Sequence, residues 1–523
     1  MLVPACSSPP DGDPEDGVAV DEGKEDNFLS ADAQEYVLEG QASVQLDASM
    51  ATASDADRMA AAKKLIGYKQ IAIAWFVTQY FVDKENEDAN FHFGGFGGMA
   101  KGGMWDDLQV TPHADNITYD FTFKQLAAGP KNLMSKLPIR IEGGKKVFDL
   151  YVGKPTNEEM THLVTDEEWY RQDPWGSWDP SKVSDAQKEL MTFSIEPDSR
   201  VTTDAFFDTN RLIDDGLLDV DIHFGWDYHD NFHLKHSAEL FTWLVDQGFK
   251  APVASWDQLT HTSGPFTRTF EANGKTVKVE VRLFFGKPGA ENDTETDAGG
   301  KVLEADVRES FKKRDVIVFE GHAGPFYGFS MADWNKTNEG DFDDSEMRTA
   351  DIASKYQIVL AEACETYQIG EALNENPNKN GKNVDVITSM SFSNAATAVV
   401  TKDFLTALFA HDSSDRLRPR NILSLLTKLD SEAEAAGFHT MYGIHGIDED
   451  PHLHPFANTA KFGDKCSANA DCGGPGNLCI TMGSSGKRCT AACAGDGGCP
   501  DTYTCKAVAS SSTATIFGRA CAK

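Results

Sequence analysis

Two short apolar runs, each ending on a reactive side chain, constrain this chain more than any other feature. Val316-Ile317-Val318-Phe319 leads into Glu320-Gly321-His322-Ala323-Gly324, and Ile358-Val359-Leu360-Ala361 leads into Glu362-Ala363-Cys364-Glu365. Unbroken, largely β-branched runs of this length predict strands buried on both faces of a mostly parallel sheet. In such sheets the chemistry gathers beyond the carboxyl ends of the strands, so His322 and Cys364 are expected on one rim. A thiolate attacks a carbonyl carbon, and an imidazole can take the thiol proton and later protonate the leaving amine, which makes acyl transfer the implied reaction class. Tyr367, Ile369, Ala372 and Leu373 follow helical spacing, which is expected to put Cys364 near a helix N-terminus and lower its pKa. Backbone N–H groups around Ala323, Gly324 and Cys364 are the candidate oxyanion donors.

The same half of the chain alternates strands with helices. Strands are predicted over 219–224, 277–285 and 384–390, and helices over 231–246, 303–313, 401–410 and 422–435. That pattern gives an α/β fold class with a doubly wound, mostly parallel sheet. The order strand, Gly321-His322-Ala323-Gly324, strand, Glu362-Ala363-Cys364-Glu365-Thr366 resembles the caspase-like cysteine peptidases of clan CD, and among them the legumain and gingipain branches. The resemblance covers residues 205–460 and implies a caspase-like sheet flanked by helices, with a dyad of His322 and Cys364 at the ends of adjacent strands. It further implies that the first loop helps to form the specificity pocket, so that His229, Asn231 and His233, with Glu362, are candidate substrate contacts. Ala323 stands where the family usually has Gly directly after its His. No cofactor and no metal are expected for such an enzyme, and its substrates would be proteins or peptides.

Cysteine placement separates a third region. Eight of the ten cysteines lie between Cys466 and Cys521, in a Gly- and Ala-rich tail whose spacings lack the paired knuckles of a zinc site. Residues 463–523 are therefore expected to be a small domain held by four disulfides, in an oxidising, extracellular or cell-surface setting. Only Cys6 and Cys364 stand outside it, which suits Cys364 as a thiol kept reduced. Val3-Pro4-Ala5-Cys6 resembles a bacterial lipobox, which implies a lipid on Cys6 as a membrane anchor. The formal net charge of −34 argues against nucleic acid and anionic membrane surfaces as partners, since both need a basic footprint.

The N-terminal part carries less chemistry. Residues 1–42 are acidic and poor in apolar side chains and are expected to be a disordered tether. Residues 43–170 read as an α+β domain with a helix over 54–83, a Gly-rich stretch over 91–103 and alternating strands such as Ile117, Tyr119, Phe121 and Phe123. Residues 171–204, with two prolines around Trp175 and Trp178, are expected to be a linker to the peptidase-like domain over 205–462.

Three further clusters compete for attention. His229 and His233 are four apart on a predicted helix start, the spacing of a zinc pair with Asp230 as base, so a zinc hydrolase is an alternative reading. A catalytically silent caspase-like binding lipoprotein is another. Asp341, Asp343, Asp344 and Glu346 are read as a solvated charge cluster rather than a calcium loop. His445, His452 and His454 fit no ligand pattern. The polar loop over 374–383 is expected to be exposed and open to a processing cut.

Overall fold

The structure is a computed structural model. It describes residues 28–86, 106–162, 169–198, 206–272, 274–324, 328–379, 383–390, 393–417, 419–435, 440–446, 462–472, 477–491, 503–509 and 516–523. Cys6, the Gly-rich stretch, His452, His454, Cys493 and Cys499 lie outside the described residues.

The C-terminal half is built on an eight-stranded sheet. Five strands run parallel, in the spatial order Lys275–Phe285, Leu217–Phe224, Val316–Glu320, Gln357–Glu362, Val384–Ser389. Phe266–Ala272 closes one edge antiparallel, and Tyr442–His445 followed by Leu29–Ser30 closes the other. The apolar runs are buried on both faces, as their composition requires. Val316, Val318, Ile358 and Leu360 join one core, while Ile317, Phe319, Val359 and Ala361 join the other. Helices cover the sheet at Phe232–Asp246, Asp297–Lys313, Tyr367–Glu375, Val399–Leu408 and Ile422–Ala435. The mostly parallel α/β sheet expected from the alternation is therefore present.

Chain order and spatial order differ in a way that fixes where a ligand can sit. The first parallel strand, Leu217–Phe224, is followed on one side by Lys275–Phe285, and the next crossover returns to the opposite side with Val316–Glu320. The connections leaving Leu217–Phe224 and Val316–Glu320 thus part in opposite directions, which opens a crevice at their carboxyl ends. Glycines keep that crevice tight. A Cβ on Gly225 would lie 2.5 Å from the Ser330 carbonyl oxygen, and one on Gly321 would lie 2.8 Å from the Gly225 Cα.

The N-terminal unit is a six-stranded antiparallel sheet in the order Asp106–Pro112, Thr118–Pro130, Ala33–Gln45, Lys188–Pro197, Lys145–Gly153, Arg140–Glu142. The helix Asp55–Asn86 packs on it through Ile66, Phe76 and Phe81 against Phe121, Phe148 and Phe193. Ser54 Oγ accepts the Asp57 N–H at 3.2 Å, the cap expected there.

Two boundaries differ from the sequence reading. The tether expected over 1–42 ends before Leu29, because Leu29–Ser30 pairs with Ile444 and Gly443 and Ala33–Gln45 is a central strand of the N-terminal sheet. Burial of Tyr36 and Leu38 on one strand face outweighs the local acidity. The linker expected over 171–204 contains the strand Lys188–Pro197 and the buried Trp175, both part of the same domain. In the loop over 374–383, of which 380–382 lie outside the described residues, the part over 374–379 is less open than its composition suggests. Asn376 Nδ2 donates to the carbonyls of Met347 and Ala350, and the buried Lys379 donates through Nζ to the Lys355 carbonyl at 2.8 Å. Asp343 and Asp344, read as solvated, are buried, and Asp343 caps the helix Asp344–Met347 with Glu346 completing a capping box.

In the tail, strands Asn477–Thr481 and Lys487–Ala491 pair, as do Thr504–Ala509 and Ile516–Ala522. Disulfides join Cys466 to Cys479 and Cys472 to Cys489, and Cys505 and Cys521 are disulfide-bonded as well. No helix among the described residues is long and apolar enough to cross a membrane.

Candidate functional site

The site begins with a matter of register. Val316–Glu320 and Gln357–Glu362 are adjacent and parallel, with Glu320 opposite Glu362 as the last paired rung. The ladder continues one step further, because the Gly321 N–H donates to the Glu362 carbonyl at 3.1 Å and the Gly225 N–H donates to the Glu320 carbonyl at 2.8 Å. His322 and Cys364 each lie two residues beyond that rung, past the ends of the neighbouring strands Val316–Glu320 and Gln357–Glu362.

His322 is buried and held by Asp227, whose Oδ1 lies 2.9 Å from its Nε2. Asp227 follows Leu217–Phe224, so the pair spans the crevice between the two strands whose connections diverge. Its other oxygen, Oδ2, accepts the backbone N–H of His229, Asp230 and Phe232, which pins the loop and caps the start of Phe232–Asp246. His229 Nδ1 adds a further contact to Oδ1 at 3.0 Å. Burial works against the charge, but the bonds from His322, His229 and the two backbone N–H groups of Phe232 and Asp230 hold the Asp227 carboxyl well below its ordinary range. A carboxylate can only accept, so the His322 Nε2 carries the proton of this bond. Aromatic rings fix the imidazole plane. Tyr228 stacks on it at 4.6 Å and the edge of Trp334 meets it at 5.9 Å.

Cys364 occupies a strained turn. Glu365, the next residue, has φ +51, in the left-handed region that side-chain-bearing residues avoid. The turn is clamped from the neighbouring strand: Thr366 Oγ1 donates to the Ala361 carbonyl and accepts the Ser389 N–H, both at 2.9 Å, and Ser389 Oγ donates to the Ala363 carbonyl. The thiol donates to the Ser393 carbonyl at 3.8 Å and accepts the Ser393 N–H at 3.4 Å. Burial pushes the thiol up to about 11; Ser393 opposes the rise, and the Glu365 and Glu362 carboxyls add to it. This corrects the expectation of a lowered thiol pKa. The helix begins only at Tyr367, three residues on, and burial with the Glu365 and Glu362 carboxyls raises the thiol instead. No hydrogen bond joins Cys364 to His322 in this resting arrangement.

A small pocket open to solvent lies beside the two groups, lined by Asp227, His233, His236, Glu320, His322, Glu362 and Ser393 among others. His236 Nδ1 meets Glu320 Oε1 at 2.6 Å. Burial, against the pull of Tyr442 and with help from Glu320, pushes the Glu362 carboxyl up to about 8, so it holds its proton at neutral pH. Burial lowers His233 to about 4, which leaves it neutral. His233 Nδ1, His236 Nε2 and Glu320 Oε2, on residues that line the pocket, are buried without a protein hydrogen-bond partner.

The expected site residues are thus divided. His322, His233 and Glu362 line one cavity, and Cys364 adjoins it through Ser393. His229 and Asn231 are exposed and do not line it; Asn231 is left-handed at φ +54 and only starts the helix. Ala323 and Gly324 pair with Phe329 and Gly328 in a short antiparallel hairpin, and the backbone N–H seen at the sulfur is that of Ser393. The zinc pair of the alternative reading, His229 and His233, is not assembled: His229 turns to Asp227, while His233 lines the pocket. His445 is buried against Tyr367 and Phe28, a packing role. The sequence reading missed Asp227, Glu320 and Ser393. Asp227 was the most accessible of these, since it falls just beyond a predicted strand.

No protein-family model, curated protein or solved structure matches this chain.

Proposed function

We propose that the protein is a cysteine endopeptidase in which Cys364 is the nucleophile, His322 the general base and acid, and Asp227 the residue that orients His322. The observation that carries this reading is the shared register: a thiol and an imidazole two residues past one paired rung of adjacent parallel strands. The buried Asp227 carboxylate, which can stabilise an imidazolium, supports it. In the reaction Cys364 turns from Ser393 toward the bound peptide carbonyl, and its proton passes to His322. The Sγ–C bond forms, the C–N bond breaks, and the amine departs with that proton. Water, giving its own proton to His322, then cleaves the thioester and restores the thiol. Because the resting thiol is kept protonated, it is the substrate complex that must bring thiol and base together.

The polar cavity supplies a place for the side chain before the scissile bond, and the disulfides of the tail support an extracellular or cell-surface setting. Cys364→Ala is expected to abolish hydrolysis of a mixed peptide library, and His322→Ala to reduce it by about 10²–10⁴-fold. A Cys364→Ala protein that cleaves at the wild-type rate overturns the proposal. The raised thiol pKa favours one second reading, a catalytically silent relative that binds peptides in the same cavity. Tight peptide binding by a wild-type protein that never cleaves would select it.

A further inference from the structure

Asp227, His229 and His322 hold more than a catalytic histidine in place. One ligand atom from each, a carboxylate oxygen and two imidazole nitrogens, lie within 4.8 Å of one another. Two of the three separations are already close: Asp227 Oδ1 is 2.9 Å from His322 Nε2 and 3.0 Å from His229 Nδ1. Ligand atoms about 2.0–2.2 Å from a tetrahedral zinc ion are roughly 3.3 Å from each other, so both contacts are near the spacing that coordination needs. Only the two nitrogens have to converge. His322 is fixed by Tyr228 and Trp334, while the His229 side chain is 48% exposed, so its ring can shift with less repacking. Asp227 is preset, because its second oxygen is held by three backbone N–H groups.

We propose that Asp227, His229 and His322 form a binding site for a divalent transition-metal ion with the ligand preference of zinc, and that filling it silences the enzyme by taking His322 away from Cys364. The second half rests on the peptidase reading; the first does not. Two imidazoles and one carboxylate are a usual zinc donor set, with a fourth position left to water on the exposed side of His229. Each ring moves its remaining proton to the nitrogen away from Asp227, and the metal takes the nitrogen that faces it. A protein with net charge −34 also concentrates cations at its surface. His322 bound in this way can neither take the thiol proton nor become the imidazolium that the reaction needs.

The test uses the full chain in metal-free, non-reducing buffer, with Zn²⁺ titrated in competition with a chromogenic chelator. Wild type and Cys364→Ala are expected to bind one equivalent equally well, and His229→Ala to bind at least about 10-fold more weakly. His229→Gln, with circular dichroism on each variant, guards against loss of fold. Co²⁺ in place of Zn²⁺ should give a ligand-field spectrum without a thiolate charge-transfer band. Binding that His229→Ala leaves unchanged, or that Cys364→Ala abolishes, overturns the site. In the activity arm, zinc should inhibit peptide hydrolysis with the midpoint of the binding curve, chelator should restore it, and His229→Ala should move that midpoint upward by the same factor. Zinc-stimulated hydrolysis overturns the inhibitory role. A wild-type protein with no hydrolysis at any zinc level removes the peptidase reading, while the binding arm still decides the site.

Discussion

Alkylation of Cys364 needs no knowledge of the substrate and probes the least expected property of the site. With the thiol pushed up to about 11, only about 0.1% is thiolate at pH 8, against about 25% for an unperturbed thiol near 8.5. A more basic thiolate is the better nucleophile, which returns about a factor of ten. Iodoacetamide should therefore modify Cys364 about 20-fold more slowly than free cysteine at pH 8, with a rate that climbs steadily toward pH 11. Glu365→Gln removes one of the carboxyls that raise the thiol while keeping side-chain length at the left-handed position, so its profile should shift to lower pH and its rate at pH 8 should increase. The assay is quenched alkylation read by peptide mapping, which separates Cys364 from the other cysteines. A wild-type rate at pH 8 equal to that of free cysteine, with a plateau below pH 9, would refute the reasoning. It would mean that His322 already holds the thiol as an ion pair in the resting protein.

Three further outcomes follow from the same contacts. Asp227→Asn keeps an oxygen for the backbone N–H groups but turns an amide donor toward His322; loss of one charge-assisted bond, about 1.5–3 kcal/mol, should lower kcat/KM by about 10–100-fold and the melting temperature by several degrees. Glu362 is raised from 4.5 to about 8, so between those values the folded state holds a proton that the unfolded chain has lost, and stability falls as pH rises through this window. Glu362→Gln should flatten that fall in denaturant titrations at pH 5 and pH 8, by no more than about 5 kcal/mol. Tyr367→Phe removes the hydroxyl that bonds the buried Glu35 of the N-terminal domain and should cost about 1.5–3 kcal/mol by urea unfolding, the range for a buried hydrogen bond to a charged group.

The sequence by itself determined the elements whose signal is local. The runs over 316–319 and 358–361 are apolar at every position, which only a strand buried on both faces accommodates, and the cores on the two sheet faces divide those residues alternately. Clustered cysteines likewise announced a cross-linked tail before any pairing was known. Tertiary structure decided what depends on partners distant in the chain. Ala33–Gln45 is a central strand because Thr118–Pro130 and Lys188–Pro197 pair with it, not because of its composition. Asp227 and His322 are 95 residues apart and meet only because the strand order reverses between them. The charge state of Cys364 was the hardest to read: a helix N-terminus nearby favours a thiolate, yet burial beside Glu365 and Glu362 opposes it, and only the folded geometry shows that desolvation prevails.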